Sequence, residues 1–132
     1  MKANELMIGN IVEIDGEPRV IRQVHRRKVG HSALGRPEHS YAKISDIKPI
    51  LITEELLVRN GFKALDKRIL ELKRVKTCTD LYFIYDEQHL PEHWRLIIRN
   101  EQVTDLSVSY ITHLHQLQNL LNIMDIKLDF EV

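Results

Sequence analysis

The pattern of apolar and polar positions gives the first part of the chain a β-rich character. Residues 10–14 (NIVEI) have the pattern of a short strand, and Asp15-Gly16 is typical of a tight turn between antiparallel strands. Residues 18–24 supply the return strand. Residues 30–37 are polar and rich in chain breakers and predict a mobile loop, while residues 41–47 predict another strand or turn. Three short strands around a glycine turn predict a small SH3-like barrel or curled sheet.

The clearest local pattern follows at residues 52–62 and predicts a short structural helix. Thr53 is a good N-cap, because its hydroxyl oxygen can accept a hydrogen bond from a free amide of the first turn. The two glutamates after it lie where the helix dipole favours negative charge. Gly61 can end the helix in the left-handed conformation, and Phe62 can then fold back on Leu57.

The rest of the chain alternates in a way that predicts an antiparallel meander, a helix and a strand. Four strand-like runs with short connections cover residues 68–76, 81–85, 94–99 and 103–108. Residues 111–124 then carry leucines and a methionine at helical spacing, which predicts a core stripe. Residues 126–132 alternate cleanly as a terminal strand.

Together these elements predict an α+β fold. We expect an N-terminal SH3-like β-unit in residues 1–52. We expect an α+β subdomain in residues 53–132, with an antiparallel sheet covered by the C-terminal helix and completed by the terminal strand. At 132 residues the chain is long enough for one compact domain or for two small subdomains that share a core.

Composition narrows the cellular setting. The single cysteine, Cys78, excludes an internal disulfide and a thiolate zinc cluster, which fits a reducing cytoplasm. The start of the chain lacks the apolar run of a secretory signal, and no stretch approaches the ~18 apolar residues of a membrane span. We therefore expect a cytoplasmic protein without a membrane partner and without a cofactor.

Charge is unevenly distributed although the net charge is zero. Between Arg19 and Lys76 there are 15 Lys/Arg against 6 Asp/Glu, and from Thr77 onward there are 3 against 9. The densest basic cluster could contact phosphates; its candidate residues are Arg19, Arg22, Arg26, Arg27, Lys28 and Arg36. Solvated strand faces, or two halves that pack through complementary charge, are alternatives. Aromatic side chains for base stacking are scarce, since Tyr41 is the only candidate before Phe62.

Two histidine patterns invite a metal-site hypothesis. HLPEH at residues 89–93 has the H-x-x-E-H form of inverted zinc peptidases, but Pro91 prevents the helix that would bring both histidines to one face. A surface loop between two strands is the preferred interpretation, with His89 and His93 exposed. His113 and His115 are two apart, and on a helix they point about 200° apart, so they share a metal only if the helix begins after His115.

Motifs of enzymes are otherwise missing from the sequence. It contains no G-x-S-x-G elbow, no phosphate-binding glycine loop and no G-x-G-x-x-G. Carboxylates are plentiful, but nothing pairs two of them. We therefore expect no catalytic residues, and a hydrolase or metal enzyme is the least favoured of the hypotheses.

Three stretches together resemble a family of small uncharacterised bacterial and phage or prophage proteins. NELMIGN at residues 4–10 is similar to that family's N-E-L-x-I-G-N opening. IKPILITEELL at residues 47–57, followed by NGF, is similar to its I-x-P-I-x-L-T-E-E-x-L and G-F. HQLQNL at residues 115–120 matches its H-Q-L-Q-N-L. The chain departs from the family pattern after the last helix, where a glycine-containing turn is expected. The resemblance implies a phage or mobile-element origin and no established activity.

The last helix offers a candidate partner surface. Its polar side carries His115, Gln118, Asn119 and Asn122, which could hydrogen-bond to a protein partner; the alternative is that the amides cap strand edges or face water. Our first hypothesis is therefore a non-enzymatic phage-related accessory protein that binds a protein partner through this helix or a sheet edge. The second is a nucleic-acid-binding module that uses the basic cluster. A homodimer remains open.

Overall fold

The computed structural model describes residues 1–66, 68–76, 79–86, 93–100 and 103–132. Within these ranges the chain forms ten strands in two five-stranded antiparallel sheets, together with two α-helices. The predicted α+β class is confirmed.

The first sheet is built from the N-terminal residues. Its strands are β1 (Ile11–Ile14), β2 (Glu17–Val24), β3 (Lys28–Ala33), β4 (Ser40–Lys43) and β5 (Ile47–Lys48), in the order β4-β3-β2-β1-β5. Asp15 and Gly16 form the predicted tight turn between β1 and β2, both with positive φ, as a two-residue hairpin of this twist requires. The buried residues of this core are Leu6, Val12, Ile14, Ile21, Val29, Ile44 and Ile47.

The prediction of a loop at residues 30–37 is wrong for residues 30–33, which belong to strand β3. Strand β3 runs through Gly30, His31 and Ser32, all of them buried, and the chain leaves the sheet only between β3 and β4. The polar side chains that suggested a loop are accommodated by partners on β2. Arg19 bonds to His31, and Arg22 bonds to Ser32. A polar strand is stable here because its buried polar atoms are paired across the sheet.

Helix α1 (Glu54–Arg59) confirms the local prediction. The Leu56 amide donates to the Thr53 hydroxyl oxygen at 3.1 Å, which is the predicted cap. Gly61 has a φ of 94°, and the Phe62 amide donates back to the Leu57 carbonyl at 3.1 Å.

The second sheet contains the predicted meander and one more strand at its edge. Its strands are β6 (Lys63–Asp66), β7 (Ile69–Lys76), β8 (Thr79–Asp86), β9 (His93–Asn100) and β10 (Val103–Ile111), in the order β10-β9-β8-β7-β6. Phe83 is fully buried and packs edge-on against Phe62, at 5.3 Å between ring centroids, and against Trp94, at 6.3 Å. The Trp94 indole donates to the Ile52 carbonyl at 3.1 Å. The sequence did not predict β6, whose four residues are all exposed and carry no alternation of burial.

Helix α2 (Leu114–Ile123) carries the predicted core stripe. Leu114, Leu117 and Leu121 are buried, and Met124 is half-buried. The ten-residue α2 is the longer of the two helices, and none in the described ranges combines the length and apolar character needed to cross a bilayer.

The terminal segment after α2 is a correction. Residues 126–132 alternate between more and less buried positions as predicted, with Ile126 and Phe130 buried, but they join no sheet. Asp125 has a φ of 56° and turns the chain away from the helix. The segment is then held by the Asn60 side chain, which donates to the Glu131 carbonyl at 2.9 Å and accepts from the Glu131 amide at 2.7 Å. One side-chain amide thus provides the pair of hydrogen bonds that a neighbouring strand would otherwise provide.

The chain forms two compact units. One comprises Met1–Leu51 with His113–Leu120, and the other comprises Ile52–Thr112 with Leu121–Val132. The sequence placed residues 113–120 in the second subdomain. They group with the first sheet because the side-chain amides of Gln118 and Asn119 bond to residues near the start of β1.

Candidate nucleic-acid interface

The outward face of the first sheet collects polar and basic side chains at its β4 edge. Val24, Val29 and Ala42 pair across β2, β3 and β4 and face or flank the apolar core. Neighbouring residues on a strand point to opposite faces, and directly paired residues share a face. The next row, in which Gln23 pairs with Gly30 and Gly30 with Tyr41, therefore lies on the outward face.

Tyr41 is the aromatic side chain of this face, and its ring lies next to a glycine. A Cβ atom at Gly30 would lie 3.4 Å from the Tyr41 ring and 3.2 Å from the Gln23 Cβ. The ring lies beside the β3 backbone at Gly30, with its hydroxyl donating to the Gln23 Oε1 at 3.3 Å. The Tyr41 side chain nevertheless remains 56% exposed. A planar ring is therefore held in place at the surface.

Two lysines lie beside the ring, in the neighbouring row of the same face. Lys28 and Lys43 are direct register partners on β3 and β4, and each lies two residues from the Gly30–Tyr41 pair, so both point to the same outward face. The Lys28 ammonium lies 4.8 Å from the centroid of the Tyr41 ring. Like charges directly opposite each other on a sheet are destabilising. Both side chains are exposed, and neither forms an ion pair with any residue in the described ranges.

The basic turn between β2 and β3 adjoins this face. Arg26 and Arg27 form the tip of the hairpin, and both are exposed. His25 precedes them, with its ring 6.5 Å from the Tyr41 ring and its Nε2 3.2 Å from the Gln23 Oε1. We call Tyr41, Lys28, Lys43, Arg26 and Arg27 the Tyr41 face.

The six basic residues chosen from the sequence fall into two groups. Arg26, Arg27, Lys28 and Arg36 are exposed. Arg19 and Arg22 are half-buried and bonded within the sheet: Arg19 Nε donates to His31 Nδ1 at 3.0 Å, and Arg22 Nε donates to the Ser32 hydroxyl at 2.9 Å. Their guanidinium groups support β3, so they are not the free cations that the sequence suggested.

His31 is held neutral by this arrangement. Burial lowers the pKa of His31, and the adjacent charge of Arg19 lowers it further, while Asp15 acts in the opposite direction. Its Nδ1 accepts the bond from Arg19, which requires an unprotonated nitrogen at that position. His31 therefore contributes to the strand and not to the cationic surface.

The polar residues of α2 are used largely within the chain. Gln118 accepts from the Ile11 amide at 2.8 Å and donates to the Gly9 carbonyl at 3.3 Å. Asn119 accepts from the Asn10 side chain at 2.7 Å and donates to the Glu5 carbonyl at 3.0 Å. His115 is buried, and Asn122 is exposed. For Gln118 and Asn119 the structure follows the alternative prediction, in which amides cap a strand edge.

The two histidine motifs yield no metal centre in the described residues. Helix α2 begins at Leu114, so His113 is its N-cap and His115 lies in its first turn, with the two rings nearly parallel and 5.9 Å apart. No group of three or more metal-ligating side chains forms in the part of the chain that the structure describes. In HLPEH, residues 89–92 lie outside the described residues. His93 begins strand β9, so no single helix carries both of its histidines.

Sequence reasoning missed Lys43 and gave Tyr41 little weight. Lys43 lies 15 residues beyond Lys28, so it is not part of a basic cluster defined by closeness in sequence. The available signal was Gly30, because a glycine inside a strand often marks the close approach of another group. Without the β3–β4 register, nothing in the sequence placed Tyr41 over Gly30 or Lys43 opposite Lys28.

Comparison of the chain with protein-family models, with curated proteins and with solved structures found no match in any of the three. The resemblance to phage and prophage proteins therefore stays a prediction from the motifs.

Proposed function

We propose that this protein binds single-stranded nucleic acid through the Tyr41 face. The observation that carries the proposal is the exposed Tyr41 ring, which lies beside Gly30 and one row from the directly opposed lysines Lys28 and Lys43. Two opposed cations that have no acidic partner among the described residues are a cost to the sheet that a bound phosphate removes.

An exposed ring beside a group of cations matches the chemistry of a single strand. The bases of a single strand are free to stack on an aromatic side chain, whereas those of a duplex are already stacked on each other. The backbone phosphates can then contact Lys28 and Lys43 beside the ring, with Arg26 and Arg27 at the hairpin tip extending the path. Between Arg19 and Lys48 the sequence has eight Lys/Arg against two Asp/Glu, so the surrounding field attracts a polyanion.

The test is a salt series with a fluorescently labelled oligonucleotide of about 12 nucleotides, within the site sizes of small β-sheet binders. Affinity should fall as salt rises, and the single strand should bind more tightly than the same sequence as a duplex. Removing two phosphate contacts with R26A/R27A should reduce the slope of log K against log salt by about 1.4.

A matched control removes two cations elsewhere. Arg59 and Lys63 are exposed and lie outside the first sheet, so R59A/K63A changes the net charge equally without touching the Tyr41 face. That variant should keep the wild-type slope. Equal losses in both double variants would mean that net charge alone drives binding, and no salt-sensitive affinity in the wild type would end the proposal.

A protein-interaction module is the second candidate, and the edge strand β6 supports it. All four residues of β6 are exposed, Leu65 is 57% exposed, and the strand lies at the end of its sheet. Such an edge can pair with a strand of a partner or of a second copy. Sedimentation velocity over a concentration series would reveal a homodimer of this type. Leu65→Lys should then shift it to monomer, and a concentration-independent monomer argues against self-pairing.

The biological setting is inferred from the sequence motifs. We infer a non-enzymatic accessory protein of phage or mobile-element origin, with an SH3-like first sheet, acting in the cytoplasm. The single cysteine and the three motif stretches support this assignment. The neighbouring genes test this inference, because phage genes for replication, packaging and host takeover lie in clusters. A gene located within such a cluster would support a phage origin.

A further inference from the structure

His115 is a buried histidine whose ring is incompletely paired. It is 4% exposed and lies in the first turn of α2. Its Nδ1 is buried and makes no hydrogen bond to any residue that the structure describes. Buried polar atoms in folded proteins are nearly always paired. An unpaired ring nitrogen at this position therefore needs an explanation.

The surroundings of His115 do not favour a positive charge. The His113 ring lies parallel to it, at 5.9 Å between centroids and 20° between planes. Helix N-termini carry positive partial charge, which is unfavourable for a cation in the first turn. Both imidazoles line a cavity of about 520 Å³, together with Glu5, Gln116 and Asn119.

Several charged groups act on the ring. Burial lowers the pKa of His115, and the charge of His113 lowers it further. Glu5, from the 3-10 turn Ala3–Glu5, opposes this effect, and the Met1 amino group reinforces it. The neutral ring is therefore the form that the folded protein favours.

The ring lies close to the bonds that tie α2 to the first sheet. Gln118 and Asn119 are one helical turn further along α2, and their amides bond to Ile11, Gly9, Asn10 and Glu5. Movement of the first turn of the helix would displace these amides, because backbone hydrogen bonds between residues four apart join the two turns.

We propose that His115 is an acid-sensitive latch: protonation of its buried ring releases the first two turns of α2 from the start of β1. In the neutral state the ring packs beside His113 and the amide bonds hold. In the charged state the imidazolium ring is more stable when it is hydrated and further from His113 and from the helix N-terminus. Protonation therefore lowers the free energy of the open arrangement relative to the closed one. The latch is independent of the Tyr41 face.

The direction with pH follows from linkage. An unfolded histidine titrates near pH 6.5, and His115 titrates below that value when folded, so the unfolded or released state binds more protons. The stabilisation by the latch is complete above about pH 6.5 and is lost as the pH falls through the folded pKa. His31 contributes in the same direction. A site-specific readout is therefore required.

Hydrogen exchange of the Ile11 amide, which donates to Gln118, provides that readout. After correction for intrinsic exchange, its protection should fall by up to about tenfold per pH unit below about pH 6.5, the limit for one proton. His115→Phe keeps a planar ring without a titrating nitrogen and should remove this dependence. His39→Gln changes an exposed histidine of the same unit and should leave it unchanged.

Two outcomes would overturn the latch. One is a His115→Phe variant whose Ile11 protection still falls with acid as in the wild type. The other outcome needs no variant and applies even if His115→Phe does not fold. It is an NMR titration in which the wild-type His115 ring has a pKa at or above about 6.5 while the Ile11 amide keeps its protection. His113→Gln should raise the pKa of His115, since it removes the adjacent positive charge.

Discussion

Gln118 and Ile11 are 107 residues apart in the chain, and a 2.8 Å hydrogen bond joins the Gln118 Oε1 to the Ile11 amide. The same side chain donates to the Gly9 carbonyl at 3.3 Å. The amide of one helical residue therefore satisfies the backbone at the start of β1, as a further strand would. Asn119 repeats the arrangement with Asn10 and Glu5. These bonds fix the first turns of α2 on the N-terminal unit.

Removing the Gln118 amide should be costly. Gln118→Ala leaves the amide of Ile11, a buried residue, without a partner, and an unsatisfied buried donor costs about 1–3 kcal/mol. Urea unfolding should show this loss of unfolding free energy. Asn122→Ala, in the same helix but exposed, serves as the control and should change stability by less than about 0.5 kcal/mol. Equal effects of the two substitutions would contradict the role of the Gln118 bond.

The cap of α1 gives a second stability prediction. Thr53→Ala removes the hydroxyl that accepts from the Leu56 amide and should destabilise the protein by about 1 kcal/mol. Thr53→Ser keeps the acceptor and should retain most of the stability. Thermal unfolding of the three proteins side by side checks the order. A serine variant as unstable as the alanine variant would show that the threonine methyl, and not the cap, matters.

Gly30 should resist substitution, chiefly because of the Gln23 Cβ and to a smaller degree because of the Tyr41 ring. Gly30→Ala places a methyl group 3.4 Å from the ring and 3.2 Å from the Gln23 Cβ, and overpacking of this kind costs about 1–3 kcal/mol. In a Tyr41→Ala background the ring contact is missing, so the same substitution should cost less. Urea unfolding of the four proteins in this double-mutant cycle measures the coupling. Additive effects would mean that the Tyr41 ring contributes nothing to the cost of Gly30→Ala.

Tyr41 should contribute to affinity more than to stability. Tyr41→Ala removes an exposed ring, and loss of one stacked base costs about 1–3 kcal/mol of binding free energy. Tyr41→Phe retains the ring and should bind nearly as the wild type does. Fluorescence anisotropy with the single-stranded oligonucleotide distinguishes these outcomes. Wild-type affinity in the alanine variant would exclude base stacking at this position.

Local patterns predicted the elements whose causes are local. Thr53 and Gly61 are enough to place both ends of α1, and the leucine spacing is enough to place the core side of α2. Asp15-Gly16 fixes the first hairpin without help from the rest of the chain. For α1 and the first hairpin the stabilising bond lies within a few residues of the signal, and for α2 the signal is the helical spacing of the leucines.

The errors arose where distant residues decide the structure. Strand β3 looks like a loop because it is polar, yet its buried His31 and Ser32 are paired by Arg19 and Arg22, which lie 12 and 10 positions away. The terminal segment has the alternation of a strand, but alternation reports burial and not pairing, and Asn60 takes the place of a neighbouring strand. The Tyr41 face was not predictable because it depends on the β3–β4 register.

The most direct test of the central claim is an NMR titration that follows the Tyr41 ring and the Gly30 amide while single-stranded oligonucleotide is added. If bases stack on the Tyr41 face, the ring protons of Tyr41 shift upfield, and the amides of Gly30, Lys28 and Lys43 shift with the same saturation curve. Raising the salt concentration reverses these shifts. Saturable binding that leaves the Tyr41 and Gly30 signals in place, or no binding at low salt, would contradict the claim.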